Sequence, residues 1–389
     1  MAGRTWSDEQ LDALRRVGDP LADDAITAIF AAHDVDAVRR LLRHLVDNDH
    51  PLVVPPDTSL PPGVLAHVET YFARSDAALP ELDAARILAG EHVFELRGPE
   101  ILMTLCCYSL PASYTAKKGV QVLAQTGRLE SNPKRRLFET TQMVVDVMQP
   151  GGLRRGASPL EHGKGIRSAQ KVRLMHAAIR HLILAREGEA WLERYDVPIN
   201  QEDLAGTLMT FSWIVLEGLE RLGGVVSKED AESYLYVWTA IGRIMGIREE
   251  LIPADLEDAR TLTDTIKRRQ TAMSEAGNLM IAALVEMMRQ SIPGALSGLP
   301  PSMLRFFLRD DAKYLELPPA DWTVVIVDAV HAITRAIDRV VGSTRLSRKL
   351  YSAFNEALIQ AMLRVERGPN RPAFDIPDHL ARRWGVARS

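Results

Sequence analysis

Apolar residues recur three and four positions apart along most of the chain. The segments VDAVRRLLRHLV (35–46), ILMTLCCYSL (101–110) and RRLFETTQMVVDVM (135–148), and the stretches 203–222 and 321–342, all carry this spacing, which gathers one apolar stripe on an α-helix. Strand-like alternation bounded by turn residues is almost absent. The pattern predicts an all-α protein. Between the periodic segments stand the proline-rich PLVVPPDTSLPPG (51–63), the glycine-rich PGGLRRGASPLEHGKG (150–165), GLPPS (298–302), ELPP (316–319) and RGPNRPAFDIP (367–377), all read as loops or breaks. SDEQ (7–10) and SKED (227–230) place an amide or acid three residues after a serine, the mark of a capped helix start.

One stripe is interrupted by an imidazole. In KVRLMHAAIRHLILA (171–185), each residue advances about 100° around a helix. Val172, Met175, His176, Ile179, Leu182 and Ile183 therefore share a face. Arg173 and Arg180 border that face, and His181 lies roughly opposite, toward solvent. His176 is either a core histidine bonded to a backbone carbonyl or a metal ligand. HxxxH and HExxH are both missing, so zinc or a non-haem facial triad is poorly supported. A single inward imidazole suffices for haem, whose porphyrin supplies four ligands, and the flanking arginines suit its propionates.

Two further helices carry polar groups on apolar faces. In RRLFETTQMVVDVM, Arg136, Thr140, Met143 and Val147 form a stripe with Glu139 on its shoulder. This is either a surface Arg–Glu pair or a polar cluster over a cofactor, with a hydroxyl from Thr140 and a base in Glu139. In TLMTFSWIVLEGLERLG (207–223), Thr207 and Thr210 sit within an apolar helix, where threonines commonly bond back to the carbonyl four residues earlier. His92, His162 and His331 are isolated and read as structural.

Composition narrows the chemistry. The 389 residues are 46% hydrophobic and 25% charged, with a net charge of −4 and a pI near 6.2, which argues against a broad nucleic-acid surface. The two cysteines, Cys106 and Cys107, are adjacent and read as core, which excludes a disulfide scaffold, a cysteine-rich metal site and covalent c-type haem. The start of the chain turns acidic and helical without the apolar core of a secretory signal. Apolar runs such as FSWIVL (211–216) are too short to cross a bilayer. The expectation is a soluble cytoplasmic protein without stable membrane insertion.

KVRLMHAAIR, the upstream RRLFETT, the downstream NQEDLAGTLMTFS (200–212) and GDPLADDAI (18–26) together resemble the rubber oxygenase (latex clearing protein) and MpaB-like oxygenase family, over roughly residues 15–345. The resemblance implies a globin-like helical core with additional N- and C-terminal helices, binding one non-covalent haem b. The chain is expected to divide into an N-terminal helical segment packed on the core (1–60), a haem-binding globin-like oxygenase domain (61–366) and a tail with a short helix (367–389). By the same resemblance His176 matches the iron ligand, Arg136 and Thr140 the distal polar residues, and Thr210 a pocket threonine. Arg173 and Arg180 become propionate partners. O₂ is the expected co-substrate, cleaving C=C bonds of a small apolar, isoprenoid- or polyketide-like molecule, with Glu139 taking an allylic proton. Rubber-cleaving members have a distal lysine where this chain has Glu139, and a glutamate is the better proton acceptor. A haem peroxidase and a non-enzymatic haem sensor or carrier are the alternatives.

Overall fold

A computed structural model describes residues 3–32, 61–125, 133–157, 161–329, 332 and 334. Fifteen α-helices with both ends described, a further helical stretch from 324 to 329 and no β-strand occur among them. In chain order they are α1 (Asp8–Leu14), α2 (Pro20–Ala32), α3 (Pro62–Ala77), α4 (Ala84–Thr104), α5 (Leu110–Tyr114), α6 (Val120–Gln125), α7 (Pro133–Met148) and α8 (Lys164–Glu187). They continue as α9 (Glu189–Tyr195), α10 (Gln201–Phe211), α11 (Trp213–Arg221), α12 (Lys228–Ile244), α13 (Leu256–Gln270), α14 (Glu275–Gln290) and α15 (Leu299–Leu308). The segment 35–46, expected to be helical, and the tail 367–389 lie outside the described residues, as does half of 321–342.

Several helix ends follow directly from sequence chemistry. Ser7 and Ser227 each accept a hydrogen bond from the backbone three residues on, at Gln10 and Asp230, so both serine-led starts are true N-caps. Asn200 caps α10 in the same way through Asp203 N. GLPPS turns out to be a helix start, because prolines at the first positions of α15 lose no intrahelical bond. The apolar stretch 203–222 is broken at Ser212, whose hydroxyl donates to the Leu208 carbonyl and whose backbone (φ −109°, ψ −86°) leaves the helical region. A second irregularity is the π-helical turn Leu105–Ser109 that carries both cysteines between α4 and α5.

The packing divides into a large core and smaller satellites. α4 and α12 form the longest interface and bury Val93, Ile101, Val237 and Trp238, with Val144 and Val147 of α7 packed alongside. A second cluster joins Tyr108 and Tyr114 to Ile281, Leu304 and Phe307 of α14 and α15. A third stacks α2 and α3 against α8 through Ile26, Ile29, Val64, Leu174 and Ala178. α8 thus has α2 and α3 on one side and α7 on another, which leaves its histidine-bearing face to be covered.

Candidate active site

That face borders a cavity of about 400 Å³, within the usual range for small-molecule sites. Val172, Met175, His176, Ile179 and Leu182 form the α8 wall. Ile183, expected on the same stripe, packs instead with Val122 and Trp191. Thr140 and Met143 of α7 form a second wall, and Leu204, Thr207, Met209, Thr210 and Phe211 of α10 a third. The segment from Leu110 to Leu123 and the α13 residues Thr263, Ile266, Lys267 and Gln270 add two further walls. An antiparallel bridge between Ala116 and Thr271 ties these last two walls together: Lys117 N donates to Gln270 O and Ala272 N to Thr115 O.

The structure therefore brings His176, Thr140 and Thr210 to one cavity. Arg136 lies one turn before Thr140 on α7 and Glu139 directly before it, but their side chains fall outside the described atoms. Arg173 and Arg180 correct the sequence reading. Arg173 is buried in a bidentate pair with Asp19, at 2.5 and 2.7 Å, and donates to Ile244 O at 3.1 Å. Arg180 pairs with Asp23 and donates to the carbonyls of Pro198 and Ile199, both at 3.0 Å. Neither lines the cavity. The carboxylates come from GDPLADDAI, so that motif and the arginines of the histidine motif are two halves of one clamp between α2 and α8. Gly246, at φ +81°, admits the Arg173 guanidinium: a Cβ there would fall 2.6 Å from Nη2. His181, expected in solvent, is half-buried and stacks on Phe30 with ring centroids 4.3 Å apart.

Thr207 and Thr210 bond back to the carbonyls of Asp203 and Thr207, at 2.8 and 2.7 Å. Their chain neighbours Glu202 and Asp203, which sequence reasoning passed over, also line the cavity. These two carboxylates are held from behind by Arg15, which is 2% exposed. It donates to Glu202 at 3.2 Å, Asp203 at 2.9 Å, Asp196 at 2.6 Å and the Tyr195 carbonyl at 3.2 Å. Arg269 and Gln270 donate to the two Glu202 oxygens at 2.8 and 2.9 Å. Burial pushes the Asp203 carboxyl above the usual carboxylate value despite the Arg15 guanidinium beside it. The only cue in the sequence was an N-capping asparagine followed by two acids, which looks like ordinary helix-start chemistry.

An all-α fold enclosing a chiefly apolar cavity, with one imidazole on its wall, defines a small-molecule enzyme rather than a scaffold. The chain belongs to the family described as ER-bound oxygenase mpaB/B'/Rubber oxygenase, catalytic domain, which matches residues 101–310, and it is an oxygenase. It is 25% identical over 301 residues to the rubber oxygenase of Streptomyces sp. (strain K30), covering 72% of this chain and 67% of that protein. Among solved structures it is similar to the latex clearing protein LCP in the closed state, with a TM-score of 0.63 and 22% identity over 94% of this chain and 95% of that one. No helix among the described residues is long and apolar enough to cross a membrane.

Proposed function

We propose that the protein is a haem b-dependent oxygenase that uses O₂ to cleave a C=C bond of a small apolar, isoprenoid- or polyketide-like substrate in the cytoplasm. The observation that carries this reading is the placement of His176 on the wall of a chiefly apolar cavity. No three His, Cys, Asp or Glu side chains among the described residues converge as a metal site, so an iron at His176 needs further ligands of the kind a porphyrin supplies. The surroundings suit a flat apolar group: Met143, Val172, Met175, Ile179 and Phe211 share the cavity with the imidazole. Such a group, when bound, would supply the redox centre that activates O₂.

The chain's own residues do the rest. His176 holds the iron. Thr140 offers a hydroxyl donor, with Arg136 one turn earlier adding charge at the same side. Glu139 accepts the allylic proton of the substrate. The apolar walls exclude water and hold the alkene. Because Arg173 and Arg180 are committed to Asp19 and Asp23, propionate pairing falls to other cations. Lys267 is the one lysine or arginine among the described lining residues. The rubber oxygenase relative supports both the reaction class and the apolar substrate.

The test is a visible spectrum of the purified protein with O₂ uptake alongside. A Soret band is expected, lost in His176→Ala and kept in His181→Ala. Full haem retention in His176→Ala, with loss in His181→Ala, would overturn the ligand. A colourless wild-type protein that still consumes O₂ would overturn the cofactor.

A further inference from the structure

The polar atoms of the cavity wall are not evenly divided between donors and acceptors. Five hydroxyls on it give their protons away to the backbone: Ser113 to Leu110 O, Thr115 to Ala112 O, Thr207 to Asp203 O, Thr210 to Thr207 O and Thr263 to Ala259 O, all at 2.6–2.8 Å. Each keeps only lone pairs to offer. One N–H of the Gln270 amide is likewise given to Glu202. Arg15 and Arg269 reach Glu202 and Asp203 from outside the cavity and are not among its lining residues. A ligand in this space meets acceptors along much of its length and carboxylates at one end.

Asp203 is the more accessible of those carboxylates. Its side chain is 16% exposed, whereas that of Glu202 is fully buried. Oδ1 accepts from Arg15 and Oδ2 from Asn200 at 2.8 Å, which leaves each oxygen a second lone pair. The space in front of it is open because position 119 is glycine: a Cβ there would lie 3.3 Å from Asp203 Oδ1. Asp203, Thr207 and Thr210 follow one face of α10, so Asp203 lies about 10 Å along the wall from Thr210. That is room for an unsaturated chain between a head group at Asp203 and the Thr140–Thr210 end.

We propose that Asp203 determines specificity by receiving the O–H of an alcohol head group, so that the substrate is a neutral unsaturated alcohol and the corresponding carboxylic acid is rejected. This rests on the oxygenase reading for its alkene, and on the cavity geometry for its head group. An alcohol places a donor against a charged acceptor in a mostly apolar space, a contact of the stronger kind. A carboxylate there would face like charge, with Arg15 and Asn200 already donating to Asp203 itself. Lys267, held by Asp311 at 2.5 Å, is the alternative site for an anion.

The test measures binding of farnesol, its methyl ether and farnesoic acid to the purified full-length protein by equilibrium dialysis at pH 7.5, with O₂ uptake recorded for each. Farnesol is expected to bind at least tenfold more tightly than the ether, which keeps the oxygen but loses the proton, and than the acid. Gly119→Ala, whose Cβ would crowd the space before Asp203 Oδ1, and Asp203→Asn should each narrow the alcohol-to-ether ratio toward one. If Asp203→Asn does not fold, Gly119→Ala and the wild-type ether comparison decide the matter. Equal binding of alcohol and ether, absence of binding by all three, or tight acid binding that Lys267→Met abolishes would each overturn the assignment. Alcohol preference without O₂ uptake would leave the head-group site standing and remove the oxygenase reading. O₂ uptake with the acid as well as the alcohol would do the reverse.

Discussion

Arg173 and His176 are one helical turn apart, yet they serve different ends of the molecule. The arginine is locked to Asp19 in the interior, while the imidazole meets the cavity. A stripe argument places side chains around a helix but does not say which neighbour each will meet, and Asp19 lies 154 residues away. His181 shows the same limit. Burial against Phe30 holds its pKa below the usual imidazole value of about 6.5, with Asp23 pulling the other way. The unfolded chain therefore takes up a proton at pH values where the folded chain does not, and stability present above 6.5 is lost as pH falls toward the folded value. His181→Phe keeps a ring on Phe30 and removes that proton. Its melting temperature relative to wild type should rise between pH 7.5 and 5.5, and a pH-independent difference would refute the role.

Individual helices were the most legible level. The apolar spacing placed α7 and α8, and the serine-led starts were real caps, because both signals are local. Ser227→Ala should lower stability by about 1 kcal/mol, read by denaturant unfolding, without changing substrate binding. The break at Ser212 was not legible, since the hydroxyl that makes it is the same group that elsewhere rides harmlessly inside helices. Of the candidate site, His176, Thr140 and Thr210 could be found because each disturbs an apolar face of its own helix. The walls from Leu110–Leu123 and from α13 could not. They reach the cavity through a two-bond bridge between loops about 155 residues apart, and nothing in either loop announces its partner.

Across the whole molecule, the first segment packs Trp6, Leu11 and Leu14 into the main core and is also tied to the cavity wall by charge. Arg15 meets Asp196, Glu202 and Asp203, while Asp8 and Asp12 meet Arg268 and Arg269. Arg15→Met would leave buried Glu202 short of a cation and should lower stability by about 3–5 kcal/mol in denaturant unfolding. A loss below about 1 kcal/mol would mean that Arg269 and Gln270 hold the carboxylates unaided. The same ties set a schedule for biosynthesis. Arg15 leaves the ribosome 187 residues ahead of Glu202, and Asp12 must wait until Arg269 follows. At ordinary translation speeds that is a delay of roughly ten seconds to a minute. The Glu202 wall of the cavity therefore cannot be completed until α13 has been made, and the earliest-made residues spend that interval as unmatched charges in search of partners not yet synthesised.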